Sequence, residues 1–286
     1  MCGRYPHSAI RESFDRTGKA WHIHMSGGEP FLYPGFAGLC RELTKSHYIS
    51  INTNFSTNDL RAFADAVDPA RVISINAGLH AESREKIFGK GMERFIADAL
   101  YFQEKGFNIS AGYIAYPPLV ERMAADLAEI KKRGLKKAGA VVFRGYYDGK
   151  PYPRSFTTTE KERILALAEG TDEKNVMKDA FCFFGKECLA GSRFFKIDPA
   201  GNVTRCSTSL KRYGNIFEGK YRFDDKAAPC PMKNCNCPYE GIEYAAATTG
   251  DALSVTREVL KEMYFMAGRE ITLPKIARYI RERVKR

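Results

Sequence analysis

Between residues 21 and 143 the hydrophobic pattern switches repeatedly between two periods. Short segments rich in Ile, Val and Tyr, or alternating apolar with polar residues, predict strands over 21–26, 48–53, 72–77, 108–116 and 138–143. The segments between them repeat apolar residues at helical spacing. "GFAGLCRELTK" puts Phe36, Cys40 and Leu43 on one side, which makes Cys40 a small buried hydrophobe. "TNDLRAFADAV" opens on Thr57 as a cap and repeats Leu60, Phe63 and Val67. "GMERFIADALYFQEKG" and "LVERMAADLAEIKKRG" close on Gly106 and Gly134, as helices do. Five strands alternating with helices imply parallel β/α units. Strand starts recur roughly every 25 to 35 residues, the spacing of a whole or partial β/α barrel.

Barrel chemistry gathers at the C-terminal ends of the strands. Here those ends read "SGGEP", "TNFS", "NAGLH", "AYPP" and "FRGYYDGK". A rim of Glu29, Asn54, Ser56, Asn76 and His80 suits a small-molecule site, although turn chemistry also favours Gly, Asn and Pro. Gly27 and Gly28 expose backbone groups to a ligand, Glu29 offers a carboxylate to a cationic amine, and Pro30 fixes the turn. An ordinary strand-to-helix turn uses the same residue types. G-x-G-x-x-G is absent, which disfavours a dinucleotide loop.

"HIHMSGGEPFLYPGF", followed by "ISINTN" and "ISINAGLH", resembles the radical S-adenosylmethionine (SAM) superfamily over most of residues 1–170. The resemblance implies a partial (β/α)6 TIM-type barrel. Gly27, Gly28, Glu29 and Pro30 match the turn that holds the methionyl amine of SAM. Asn54 and Ser74 are a looser match, on strands whose ends meet the ribose and carboxylate, and His80 stands at the mouth to touch SAM or substrate. The family also requires a C-x3-C-x2-C loop after its first strand, whose thiolates hold a [4Fe–4S] cluster. Only "MCGRYPHS" is present, with Cys2 placed as the last of the three, and the first barrel strand is missing. The expectation is an N-terminally truncated form of a radical SAM enzyme. The intact parent would make a 5′-deoxyadenosyl radical and abstract hydrogen from a peptide or small-molecule substrate. With one of three ligands, this chain would not cleave SAM unaided.

The eight cysteines are unevenly spread, with Cys182, Cys188, Cys206, Cys230, Cys235 and Cys237 crowded into one stretch. Such crowding without an export signal points to metal or cluster ligands, with zinc and iron–sulfur both open. "SRFFKIDPAGNVTRC" reads as a β-hairpin with Cys188 before it and Cys206 at its end. The run resembles the SPASM and twitch extensions of radical SAM enzymes, which implies an auxiliary [4Fe–4S] cluster. Cys188, Cys206, Cys235 and Cys237 are its expected ligands, with Cys230 next, while Cys182 is packing. The expected domains are a barrel over 1–170, a cysteine-rich β-hairpin domain over 171–243 and a basic helical segment over 244–286.

Composition changes little in this picture. Apolar residues make up 44% and charged residues 28%, an ordinary globular balance. No apolar run is long enough to cross a bilayer and no signal pattern opens the chain, so a cytoplasmic protein is expected. The net charge of +11 is concentrated partly at the C-terminus, where Ile276, Ile280 and Val284 at helical spacing favour a solvated helix face over nucleic-acid binding. His22 and His24 share a strand face and read as a satisfied structural pair, since no third metal ligand is near. The segment 144–160, with three tyrosines, reads as a polar loop at the mouth, from which Arg144, Tyr147 or Asp148 could meet substrate before a helix capped by Thr159 or a neighbour. The resemblance further implies oxidoreductase chemistry and an electron donor such as flavodoxin or ferredoxin. The competing class is a non-catalytic SAM-, nucleotide- or RNA-binding protein with a structural zinc site.

Overall fold

The computed structural model describes residues 5–58, 60–88, 91–169, 172–178, 183–209 and 211–233. Cys2, Cys182, Cys235, Cys237 and the basic segment over 244–286 lie outside the described residues. The chain divides into two compact units, one His22–Ala180 and the other Met1–Trp21 with Phe181–Arg286.

In chain order the elements begin with α1 (His7–Asp15), β1 (His22–Met25), α2 (Phe36–Leu43), β2 (Tyr48–Thr53) and α3 (Leu60–Ala66). Next come β3 (Val72–Leu79), α4 (Ala81–Phe88), α5 (Gly91–Glu104), β4 (Ile109–Ile114), α6 (Met123–Lys132) and β5 (Ala138–Val141). Strands β1 to β5 form one parallel sheet in sequence order, so the five expected strands all exist and pair as β/α units. The fold is therefore mixed α/β around a five-stranded parallel sheet.

The two faces of this sheet differ because the side-chain period along a strand is two. Ile49, Ile51, Ile75, Ala77, Leu79, Ala111 and Tyr113 are buried against the helices. Beneath them the rings of Phe31, Phe36, Phe55, Phe63, Phe95, Phe102 and Phe107 interlock, with centroids 4.9 Å apart for Phe31–Phe36 and 5.0 Å for Phe55–Phe102. Cys40 is fully buried in this layer, and burial pushes its thiol pKa far up, as befits a packing residue. Helices α5 and α6 end in matching caps, where Phe107 N–H donates to Phe102 O and Leu135 N–H to Ile130 O across Gly106 and Gly134, both at positive φ.

Beyond β5 the expected polar loop is instead a hairpin, β6 (Gly145–Tyr147) and β7 (Lys150–Tyr152), turning through Asp148 and Gly149 at φ 48° and 71°. Positive φ at both turn positions matches the twist of a two-residue hairpin, which a Asp-Gly pair permits. Helix α7 (Thr158–Leu167) follows, and its cap is Thr157, in a reciprocal box with Glu160. Helix α8 (Asp172–Lys178) completes the unit. Glu169 and Glu173 accept from Ala138 N–H (3.3 Å) and Val142 N–H (2.6 Å), satisfying donors on the free edge of β5.

The second unit contains β8 (Glu187–Cys188), β9 (Lys196–Ile197), β10 (Asn202–Thr204), β11 (Arg212–Asn215), β12 (Lys220–Tyr221) and β13 (Ala228–Pro229). Strands β9 and β10 pair antiparallel around the turn at 198–201, where Asp198 Oδ1 accepts from Ala200 and Asn202 N–H. Strands β11 and β12 extend this pair to a four-stranded sheet in the order β12-β11-β10-β9, and β13 pairs separately with β8. Helix α1 belongs to this unit. Arg16 donates to the carbonyls of Ile216 and Phe217, and the Trp21 ring meets Phe195 and Phe223 at 6.0 and 6.3 Å.

Candidate functional site

The turn after β1 is locked to the end of β2 through one carboxylate. Glu29 Oε1 accepts from Phe31 N–H (3.1 Å) and Thr53 Oγ1–H (2.7 Å), and Oε2 accepts from Asn54 N–H (2.7 Å). An ionised carboxylate has about four acceptor positions, so one is left for a further donor. Gly27 sits at φ 147°, a conformation that side chains disfavour, and a Cβ added at Gly27 or Gly28 would meet nothing within 4 Å. Open space therefore lies against the backbone at this turn. Pro30 starts the short 3-10 turn that Glu29 caps.

The neighbouring turn is equally constrained. Phe55 adopts φ 53°, rare for a bulky residue, and is held there by its buried ring and by its N–H donating to Thr53 Oγ1 at 3.0 Å. Asn54 Oδ1 accepts from Ser56 N–H (2.9 Å), while the Asn54 carbonyl accepts from Arg84 on α4. Among the described residues the Asn54 side-chain amide nitrogen has no partner. Arg84 is buried with its guanidinium 4.8 Å from the Phe95 ring centre, and burial, with the nearby Arg94 charge, pulls its pKa down to about 10. It stays cationic at neutral pH, beside the turn that Glu29 braces.

His80 follows β3 directly, with Nδ1 3.2 Å from the Tyr116 hydroxyl at the end of β4. Tyr116 meets Phe143 after β5 (4.7 Å), and Phe143 meets Tyr152 of the hairpin (5.9 Å), so an aromatic row crosses three strand ends. Burial and the charge of Arg84 lower the His80 pKa below that of ordinary imidazole.

The other face of the sheet is polar. Ser50 is paired in register with His24 on β1 and Ser74 on β3, and Asn52 with Asn76 and then Ser110. Asn76 Nδ2 donates to Asn52 Oδ1 (2.9 Å), and Ser110 Oγ donates to Asn76 Oδ1 (3.1 Å). His22 Nε2 and His24 Nδ1 lie 2.8 and 2.6 Å from Ser50 Oγ, so one hydroxyl donates to one ring and accepts from the other. The structure thus brings Gly27, Gly28, Glu29, Pro30 and Asn54 together. Ser74 does not join them: it is the third residue of β3, on the polar face and short of the strand's C-terminal end. Asn76 is likewise within β3, because that strand runs on to Leu79. Sequence reasoning missed Asn52, Ser110 and Arg84. The first two carried a signal, a polar residue at every second position of "YISINTN" and "NISAG".

In the second unit Cys188 is buried on β8, and Cys206 and Cys230 are partly exposed. Cys188 Sγ accepts from Ala190 N–H (3.4 Å) and Cys206 Sγ from Ser209 N–H (3.2 Å), and burial pushes the Cys188 thiol up. These donors fit a thiolate-bound metal chemically. Among the described residues, however, no three His, Cys, Asp or Glu side chains are grouped closely enough to hold an ion. No described helix is long and apolar enough to cross a membrane.

No protein-family model and no curated protein matches the chain. Solved structures do. Native anSMEcpe with bound AdoMet aligns with a TM-score of 0.51 at 13% identity, over 98% of this chain and 90% of that one. SuiB of Streptococcus suis aligns with a TM-score of 0.51 at 15% identity, over 76% of this chain and 58% of SuiB. SuiB bound to S-adenosylmethionine gives 0.52 at 15% identity, over 75% of this chain and 57% of that one. Identity this low speaks to fold alone: the chain shares the fold of these AdoMet-bound and related structures.

Proposed function

We propose that the chain is a radical SAM protein that binds SAM at the turn after β1. The observation that carries this reading is Glu29, fixed by three donors beside two glycines with open space above them. The residual acceptor position of Glu29 takes the methionyl amine, the backbone at Gly27 and Gly28 lines its approach, and the Asn54 amide donates to the ligand from the adjacent turn. His80 and Tyr116 face the mouth where a substrate meets SAM. The AdoMet bound in the structural neighbours supports this reading. The substrate is a peptide or another small molecule, and the electron donor a flavodoxin or ferredoxin.

The sequence lacks C-x3-C-x2-C, so the residues present do not fit the SAM-binding cluster. In the second unit, Cys188, Cys206 and Cys230, with Cys235 and Cys237, are the proposed ligands of an auxiliary [4Fe–4S] cluster, which when bound supplies an electron acceptor or a substrate anchor. Iron and sulfide in anaerobically purified protein support that site. One zinc per chain and no sulfide favours the second reading, a binding protein with a structural zinc.

SAM binding has a clean test at Gly28, whose φ is ordinary and whose added Cβ meets nothing. Gly28→Val should leave the unfolding free energy within the scatter of neutral surface substitutions, about 0.5 kcal/mol. The same change should weaken SAM binding, measured by calorimetry, at least tenfold. Unchanged affinity would place SAM elsewhere.

A further inference from the structure

The hairpin after β5 has one closed edge and one open edge. Pro151 stands opposite Tyr146 and has no N–H, so this pair is of the kind that exchanges no hydrogen bonds. The bonds of the ribbon fall on the flanking pairs, Gly145 with Tyr152 and Tyr147 with Lys150. The N–H and C=O of Tyr146 therefore point away from β7, and the C=O of Pro151 points away from β6. That outward carbonyl on β7 is already used, since it accepts from Ser155 N–H (3.0 Å) and Ser155 Oγ–H (2.6 Å). On the β6 side, among the described residues, no strand pairs with Tyr146, and its side chain is 79% exposed. Folded proteins blunt free edges with proline, charge or a covering segment. At Pro151 the β7 edge has both a proline and a covering turn, and at Tyr146 the β6 edge has neither.

The ribbon is anchored through its other face. Tyr152, on the face opposite Tyr146, meets Phe156 at 4.6 Å and Phe143 at 5.9 Å, and Phe143 continues through Tyr116 to His80. The open edge is thus fixed beside the strand ends, with an exposed ring next to unpaired backbone groups. Charge selects the occupant. Within 144–154, Arg144, Lys150 and Arg154 are all exposed and stand against Asp148 alone. We propose that the outer edge of β6 is a docking strand for an extended acidic peptide segment, which pairs with the main chain of Tyr146, packs on its ring and is attracted by the basic residues of the ribbon. The inference deepens the proposed function and rests on it, because it makes the substrate a peptide that is held by a strand beside the mouth at His80 and Tyr116.

The test is fluorescence anisotropy of the full chain with a labelled octapeptide that alternates Glu and Val. Its counterpart with Lys in place of Glu should bind about tenfold more weakly or worse, because like charges meet at the ribbon. Two further versions carry backbone N-methyl groups on every second residue, on the Glu set or on the Val set. An added strand turns the N–H groups of alternate residues toward its partner, so one methylated version should lose binding and the other keep it. Tyr146→Ala should weaken the Glu–Val peptide about fivefold or more, the scale of an interface aromatic. Lys150→Glu should weaken it too and narrow the gap to the Lys–Val peptide. Circular dichroism reads the folding of both variants, and their SAM affinity, measured by calorimetry, should stay at the wild-type value. Wild type that binds SAM and not the Glu–Val peptide overturns the docking strand alone. Peptide affinity unchanged in both variants, or equal for all backbone-methylated forms, also overturns it. Wild type that binds the peptide and not SAM overturns the SAM reading, and with it the substrate role of the docked segment.

Discussion

Glu29 does two jobs whose signatures can be separated. As a brace it accepts three hydrogen bonds from two strand-end turns, and as a ligand it offers its remaining acceptor position. In Glu29→Gln the new amide nitrogen must face one of those donors. The expected loss is about 2 kcal/mol, the range for a hydrogen bond to a charged group, read as a lower denaturation midpoint with unchanged slope. Because Gly28→Val disturbs binding without the brace, the pair of variants divides the two roles. His80 offers a second test at this scale. Its folded pKa is depressed, so between that value and the ordinary imidazole pKa of about 6.5 the unfolded chain binds more protons. Its contribution to stability is therefore present above about pH 6.5 and is lost as pH falls through the depressed value. Melting temperature should drop from pH 7 to pH 5, and His80→Gln should flatten that slope, leaving the part due to His24, whose pKa burial also lowers. A slope unchanged by the substitution would remove His80 as a source. The glycines, Glu29 and His80 were legible in the sequence because strand ends announce themselves. Arg84 was not, because a lone arginine on a short helix looks solvated until the fold buries it.

Elements were read best where local and tertiary preferences agree. The five sheet strands combine β-branched runs with glycine-ended helices, and the order β1 to β5 follows from parallel β/α connection. The hairpin at 145–152 escaped although Asp148-Gly149 is a strong turn signal, because Pro151 inside β7 argues against a strand. A two-stranded ribbon tolerates it. The sheet edge at β5 was also invisible in the sequence, since its protection comes from carboxylates about thirty residues later. Val142 is buried and its N–H relies on Glu173, so Glu173→Ala leaves that donor without the acceptor it has now. The loss should be about 1–3 kcal/mol in equilibrium unfolding, with faster amide exchange at Val142 than at the strand centre. Exchange at Val142 that stays as slow as in wild type would show that another acceptor takes over.

At the scale of the molecule, local pattern fails for a physical reason. Nothing in "HSAIRESFD" states that α1 belongs with residues two hundred positions away, yet Arg16 binds the carbonyls of Ile216 and Phe217. Such contacts depend on the folded path of the chain, not on period or propensity. The division into two units has a thermodynamic consequence. Glu29, Gly27, Gly28 and Asn54 all lie in His22–Ala180, whereas Cys188, Cys206 and Cys230 lie in the other unit. A ligand stabilises the unit it binds by mass action, about 2.7 kcal/mol at a hundredfold excess over its dissociation constant. Calorimetry of the metal-loaded protein should therefore resolve two transitions, one raised by SAM and the other lowered by a chelator. Gly28→Val should cancel the first shift and leave the second, and Cys206→Ala should do the reverse. A single transition moved by both treatments would mean that the units unfold together. If SAM moved only the chelator-sensitive transition, its binding site would have to be sought among the cysteines instead of at the strand ends.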